Sequence, residues 1–284
     1  LASCATPFGA AVASALPRVP FLDGSRSACD WKSDADSVQP GALPPSKMPS
    51  LMRDDYVANM NDSYWLSNPK EPLTGFPTIM GPAGSESVTM RTRLGHLMAQ
   101  GRLDGTDGYG GNKATVDVVK QMVLNSRVHT AELFKAQALP VVCASPTITV
   151  ARDPQTAEVF SPAKVVNVAL ACSTLQAWNN TGTTDARGAH VWDEFWARAS
   201  LLGAASLYSV PFSATDPVNT PRTLKTDAPG PLQQAFGAAV LRVQQSTYAE
   251  NAVRGDYLFA TRSGSKIPLY GGCGANGYFT IACS

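Results

Sequence analysis

Six cysteines set the strongest constraint on how this chain of 284 residues can fold. They fall into three near pairs along the sequence: Cys4 with Cys29, Cys143 with Cys172, and Cys273 with Cys283. Six cysteines permit many disulfide connectivities, and the sequence does not select one of them. The even number and the spacing between neighbours favour three local disulfide loops. Such loops indicate an oxidising location, either secreted or periplasmic.

Charge and residue usage exclude several classes of function. The chain has no Cys-x-x-Cys pair and its histidines, His96, His129 and His190, are scattered, so a zinc site is not indicated. A net charge of +1 gives no electrostatic case for binding nucleic acid or an anionic membrane surface. No apolar run approaches the roughly 20 residues needed to span a bilayer. Charged residues make up only 16% of the chain, which weakly favours coverage of part of the surface by another polypeptide.

The order of predicted elements is a strand, a mainly helical middle and then more strands, which is an α+β pattern. Residues 1–50 are rich in Pro, Gly, Ser and Asp, and they predict a long loop segment tied by Cys4 and Cys29. A core strand is expected within residues 51–84, helices dominate 85–254, and residues 255–284 return to strands. We treat residues 1–284 as a single region.

The helical middle is predicted from caps and from the spacing of apolar residues. Helices are expected at about 86–100, from Thr115, at 130–144, at 188–203 and at 231–248. In the helix from Thr115, the apolar residues Val116, Val119 and Val123 are expected to face the interior. Ser161-Pro162 has the form of a cap followed by proline at the first helical position, which predicts a further helix start.

The stretch DYVANMNDSYW, residues 55–65, carries the polar residues that suggest chemistry. On a strand, Asn59, Asn61 and Ser63 would project from the same face because they are spaced by two. Uncharged amide donors held rigidly at the end of a strand suit the stabilisation of a developing oxyanion. The alternative is an ordinary strand end whose polar side chains face water or cap backbone groups.

Residues 59–75, NMNDSYWLSNPKEPLTG, followed by RTRL at 91–94, resemble the penicillin acylase family of N-terminal nucleophile hydrolases. The similarity is greatest to the branch of aculeacin A and acyl-homoserine lactone acylases, and RDDYVA at 53–58 belongs to the same motif. SACDW at 27–31, LQAW at 175–178 and the closing glycine-rich strand pair also resemble this branch, in the same order. The resemblance therefore covers nearly the whole chain.

In enzymes of this family a precursor cuts itself into a smaller α chain and a larger β chain. The new N-terminal residue of the β chain, usually serine, is the nucleophile and its own α-amino group is the base. An α-amine suits this role because its ordinary pKa is about 7.7–8.0. This chain begins with Leu1, so the resemblance implies a later part of a β subunit. The implied partners are the α subunit and the remaining β-subunit segments, which would carry the nucleophile.

The resemblance assigns roles to a few positions. Asn61 falls on the family's oxyanion-hole asparagine, whose side-chain N–H would hold the tetrahedral intermediate. Arg91 falls on the family's active-site arginine, which positions that asparagine and the nucleophile region. Arg93 competes with Arg91 for this assignment, and a solvated helix arginine is the alternative for Arg91. Supporting residues for the turn are expected at Asn59, Asp62 and Ser63.

The implied fold is a four-layer αββα sandwich, of which this chain would supply part of the sheets and a helical insertion. The implied reaction is hydrolysis of the amide between an acyl chain, often long and fatty in this branch, and an amine. Cyclic lipopeptides, acyl-homoserine lactones and penicillins are the implied substrates, and the alanine-rich sequence favours a lipopeptide. Some family members bind calcium, but no ligand set is evident here, so neither a metal nor another cofactor is predicted. The rival interpretation is a secreted, disulfide-stapled binding or structural protein that keeps an acylase-like scaffold without activity.

Overall fold

The computed structural model describes residues 4–16, 21–84 and 86–283. Expectations that concern residues 1–3, 17–20, 85 and 284 lie outside the described part of the chain. Two compact units are present: the first is Leu1–Ser50 with Gly75–Met80, and the second is Leu51–Thr74 with Gly81–Ser284. Among the described helices, none is both long and apolar enough to cross a membrane.

The first unit is mostly irregular, as its content of proline and glycine predicts. Its α-helix, α1 (Pro7–Ala15), begins after Thr6, whose hydroxyl accepts a hydrogen bond from the Gly9 N–H at 2.9 Å. The disulfide Cys4–Cys29 closes the loop that contains this helix. Single helical turns follow at Ser27–Cys29, Pro45–Lys47 and Thr78–Met80.

The second unit is built mainly from helices. They are α2 (Met90–Asp104), α3 (Val116–Leu124), α4 (His129–Val142), α5 (Ala169–Ala177), α6 (Ala189–Ala199), α7 (Ala204–Leu207), α8 (Gly230–Gln244) and α9 (Arg254–Tyr257). Thr89 caps α2, since its hydroxyl accepts from the Thr92 N–H at 3.2 Å. Thr115 caps α3 in the same way, with the Val118 N–H at 3.3 Å. The helices predicted at about 86–100, from Thr115, at 130–144, at 188–203 and at 231–248 are present, with ends shifted by a few residues.

The strands form antiparallel pairs. β1 (Thr147–Arg152) pairs with β2 (Val159–Asn167), β3 (Tyr208–Val210) with β4 (Arg222–Leu224), and β5 (Phe259–Arg262) with β6 (Ser265–Pro268). The architecture is thus α+β, as the sequence predicted, with sheets of only two strands among the described residues. Within the segment 255–284, predicted to return to strands, residues 278–281 form isolated bridges instead, Val128 with Tyr278 and Gly272 with Ile281.

The strand predicted within residues 51–84 is wrong. The chain has no regular structure from residue 51 to 63 and then forms a single helical turn at Tyr64–Leu66. Asn61 has a φ of +59°, so the backbone reverses at the position where a strand would have continued. Asn59, Asn61 and Ser63 therefore do not form one face of a strand, although they share one turn.

The helix start predicted at Ser161-Pro162 is also wrong, because both residues lie within β2 and α5 begins only at Ala169. The β-branched residues Val165 and Val166 pair with β1, opposite Thr149 and Ile148. Residues of this type favour a pleated ladder, and the ladder outweighs the local helix signal.

Helix α3 forms where expected, but its apolar side does not face the interior. Val116 is 70% exposed and Val119 is 45% exposed, and α3 has no buried residue. Apolar spacing identifies which residues share a side of a helix, whereas the tertiary structure decides what covers that side.

The core lies between α4, α5, α6, α8 and the β1–β2 pair. Phe134 stacks on Trp196 with ring centres 4.9 Å apart, and Phe195 meets Phe236 edge to face at 5.5 Å. The disulfide Cys143–Cys172 joins the end of α4 to α5. The nearest-neighbour pairing that the spacing favoured is therefore present, and the third bridge, Cys273–Cys283, completes it.

The C-terminal segment is anchored on α6 by Asp193. Its carboxylate accepts from Arg254 Nη1 at 3.1 Å, from Asn276 Nδ2 at 2.9 Å and from the Tyr278 hydroxyl at 3.2 Å. The Thr130 hydroxyl of α4 donates to the Asn276 carbonyl at 2.6 Å. These contacts fix the loop closed by Cys273–Cys283 against the helical core.

We expect acid to weaken the second unit through its buried histidines. His129 is 2% exposed, and burial lowers its pKa below the ordinary value of 6.5, as it does for His96 and His190. Below about pH 6.5 the histidines of the unfolded chain bind protons that those of the folded chain do not. The stabilisation that comes from keeping these histidines neutral is therefore complete above that pH, and it is lost as the pH falls through the lowered pKa values. Urea midpoints should therefore decrease between about pH 7.5 and about pH 5, and His129→Gln should reduce the decrease. A midpoint that stays constant over this range would contradict the prediction.

Candidate functional site

Asn61 lies at the tip of a tight, exposed turn that precedes α2. Its φ of +59° is in the left-handed region, which asparagine adopts more readily than most residues. The Asn61 N–H donates to Asn59 Oδ1 at 3.0 Å, so the side chain of Asn59 closes the turn locally. The backbone therefore presents the Asn61 side chain outward.

Arg91, in the first turn of α2, holds Asn61 in place. Its Nη2 donates to Asn61 Oδ1 at 2.9 Å and also to the carbonyl oxygen of Met60. A guanidinium has donors only, so the contact requires the amide oxygen on the arginine side and leaves Nδ2 on the other side. Asn61 Nδ2 has no hydrogen-bond partner among residues 4–16, 21–84 and 86–283. The arrangement is an exposed amide donor with a fixed orientation.

Asp62 joins the turn to the start of α2. Its Oδ2 accepts from the Thr89 N–H at 2.8 Å and from the Thr92 hydroxyl at 2.9 Å, while Oδ1 accepts from the Ser63 N–H at 3.0 Å. A carboxylate at this end of a helix also interacts favourably with the helix dipole. The Ser63 hydroxyl donates to the Pro82 carbonyl. Asp62 and Ser63 thus hold the turn from its half-buried side, and their role in supporting the site residues remains a prediction.

Arg93, the competing candidate, lies away from Asn61. It is 1% exposed, and its Nε donates to the Val218 carbonyl at 2.6 Å while Nη1 donates to the Pro221 carbonyl at 3.0 Å. Burial lowers the pKa of its guanidinium. The geometry therefore brings Arg91, and not Arg93, to the turn.

A charged network supports the chain just before the turn, and the sequence reasoning assigned it no role. Asp55 accepts from Arg53 Nε and Nη2, each at 2.9 Å, and from Asn68 Nδ2 at 3.1 Å. The Arg53 guanidinium holds the pKa of the Asp55 carboxyl well below its usual range. Arg53 and Asp55 lie two residues apart in the RDDYVA motif, and these opposite charges at close spacing were the sequence signal that could have indicated the ion pair. The network ties residues 53–55 to the turn at 68–71.

The described residues contain no group of three or more His, Cys, Asp or Glu side chains that could hold a metal ion. Two acidic side chains of this segment, Asp55 and Asp62, are engaged by Arg53 and by the start of α2.

The chain belongs to the penicillin amidase family, whose match covers residues 6–275. Aculeacin-A acylase from Actinoplanes utahensis is 34% identical over 260 residues, which are 92% of this chain and 31% of that protein. The acyl-homoserine lactone acylase PvdQ from Pseudomonas savastanoi pv. phaseolicola is 29% identical over 258 residues, 88% of this chain and 30% of that protein. PvdQ from Pseudomonas syringae pv. syringae is 31% identical over 257 residues, with the same coverage, 88% and 30%. The chain thus spans about 30% of the length of the curated relatives it matches.

Substitution of Arg91 and of Arg93 by lysine should show how much each arginine contributes to stability. We expect Arg93→Lys to lower the free energy of unfolding by about 2 kcal/mol, because one ammonium cannot reproduce the planar fork that donates to two buried carbonyls. Arg91 is only partly buried, so Arg91→Lys should change stability by about 0.5 kcal/mol or less. Urea unfolding of both variants measures the difference. Equal losses of stability would contradict the separation.

Proposed function

We propose that this chain is a later part of the β subunit of a secreted or periplasmic amidohydrolase that removes an acyl chain from a linear amide. Membership of the penicillin amidase family supports the class of reaction. The observation that carries the proposal is the Arg91–Asn61 pair, because it leaves one amide donor exposed and oriented. Two relatives are named as acylases of aculeacin A and of acyl-homoserine lactones. The substrates that we propose for this enzyme are a cyclic lipopeptide, an acyl-homoserine lactone or a penicillin, with a long fatty acyl chain as the preferred acyl group.

In the proposed reaction an N-terminal serine on another chain attacks the amide carbonyl carbon, and its α-amino group takes the hydroxyl proton. The carbonyl oxygen becomes an oxyanion, which accepts a hydrogen bond from Asn61 Nδ2. The α-ammonium then gives the proton to the leaving amine, and water hydrolyses the resulting acyl ester by the same steps. Arg91 contributes by holding Oδ1, so that the donor does not have to reorient as charge develops.

The partners in this proposal are an α subunit and the remaining β-subunit segments, which bring the nucleophile and a backbone oxyanion donor. The three disulfides support an extracytoplasmic location, because such bonds persist in oxidising compartments. We further propose that the short sheets join other strands in a four-layer αββα sandwich. Every residue of β5 and β6 is exposed, so this pair has surface available for such packing.

The direct test is Asn61→Ala in the complete, processed enzyme. Loss of an oxyanion-hole donor should reduce kcat by about 10²–10³-fold, measured as the release of nitroaniline from a fatty-acyl p-nitroanilide. Arg91→Lys should cause a smaller loss of kcat, because the amide keeps its donor but loses its fixed orientation. Asn112→Ala is the matched control, since Asn112 is also an exposed asparagine in a loop. Turnover of Asn61→Ala within a few-fold of the wild type would show that Asn61 is not the donor.

The rival function, a secreted, disulfide-stapled binding or structural protein, makes a different prediction about the native assembly. If the chain is part of an acylase, N-terminal sequencing and intact mass should reveal a companion chain that starts with Ser, Thr or Cys. The α-amino group of that residue is required as the base, so no other start is compatible with the mechanism. An active assembly that lacks such a chain would overturn the proposed function.

A further inference from the structure

The side chain of Met60, the residue before Asn61, is buried against α2. Met60 is 8% exposed, although Asn61 beside it is exposed. The side chain lies over Gly95, where α2 offers no side chain of its own. The turn that presents Asn61 therefore rests directly on the helix backbone.

The contact at Gly95 has no room for a methyl group. A Cβ added there would overlap Met60 Sδ and would lie 2.5 Å from Met60 Cε and 3.0 Å from Phe279 Cε2. A methyl group at Gly95 would therefore displace the Met60 side chain, since its terminal atoms occupy that space. Gly101, on the same helix, differs: a Cβ there would have no neighbour nearer than 3.5 Å.

Helix α2 thus holds the Met60–Asn61 peptide at two points. Gly95 receives the Met60 side chain, and Arg91, one helical turn earlier on the same side, binds the Met60 carbonyl and Asn61 Oδ1. Because the two residues share a peptide unit, a displacement of the Met60 backbone would also displace Asn61 relative to Arg91.

The loop closed by Cys273–Cys283 covers both points from outside. A Cβ at Gly274 would be 3.5 Å from Arg91 Cδ and Nε, and the Phe279 ring lies beside Gly95. The Met60 side chain and the Phe279 ring thus both lie against α2 at Gly95.

We propose that Gly95 is a positioning residue for Asn61 and that it acts through the side chain of Met60. The proposal rests on the proposed function, in which Asn61 Nδ2 holds the oxyanion. An oxyanion donor must be placed accurately, and a misplacement of about 1 Å can cost about 10²-fold in rate. Gly95 sets the depth at which the turn sits on α2, and so it sets the position of that donor.

The test compares Gly95→Ala with Gly101→Ala in the complete, processed enzyme. We expect Gly95→Ala to reduce kcat by roughly 10- to 100-fold with KM changed by about twofold or less, because binding outside the oxyanion site is intact. Gly101→Ala should keep kcat within about twofold of the wild type, since the added methyl group meets only ordinary contacts.

Two double variants separate positioning from general damage to the fold. Met60→Ala in the Gly95→Ala background removes the overlap and should recover most of the lost kcat. Asn61→Ala combined with Gly95→Ala should have the kcat of Asn61→Ala alone, because no donor is left to misplace. A purely structural defect would instead multiply the two losses.

Retention of kcat by Gly95→Ala within about twofold, or multiplicative losses with Asn61→Ala, overturns the proposal. If Gly95→Ala alone does not assemble, the double variant with Met60→Ala should restore assembly and turnover, and its failure to do so overturns the proposal as well. Failure of the proposed function is distinguishable, because then Asn61→Ala itself keeps its turnover. If Asn61→Ala is inactive while Gly95→Ala is fully active, only the positioning role of Gly95 is overturned.

Discussion

The carboxylate of Asp193, on α6, accepts the hydrogen bonds that hold the C-terminal segment to the helical core. Arg254, Asn276 and Tyr278 all converge on its carboxylate. Arg254 is buried, and leaving such a cation without its partner costs on the order of 3–5 kcal/mol, so the segment has one low-energy position. From there the loop closed by Cys273–Cys283 reaches α2 and packs beside Arg91 and Gly95. The Asp193 network therefore holds the segment that packs beside Arg91, the residue that binds Asn61.

Around Asn61 the protein uses short polar contacts instead of regular structure. The left-handed backbone at Asn61, the closing contact from Asn59 and the carboxylate of Asp62 at the start of α2 each fix one part of the turn. Arg91 then orients the side chain. These contacts fix the orientation of the exposed amide, which is the property that the proposed oxyanion donor requires.

The sequence predicted the helices well because capping residues and apolar spacing act within a few residues. Thr115 and the α6 region show this, since both helices lie where the local signals put them. The strand at 55–65 failed for the opposite reason: the alternation of polar residues resembles a strand, whereas contacts from α2, distant in sequence, turn the chain at Asn61. The helix start at Ser161-Pro162 failed because pairing with β1 overrides a local cap.

By itself the sequence determined the helical segments, the disulfide spacing and the family, since these depend on local physics or on a long motif. Through the family motif it assigned Asn61 and Arg91, with Arg93 as a competitor for the arginine. Only the tertiary structure decided between them: Arg91 reaches the Asn61 turn, while Arg93 is buried against the carbonyls of Val218 and Pro221. The reason is that two residues spaced by two on a helix point in directions about 200° apart, and which direction holds the site depends on what packs there.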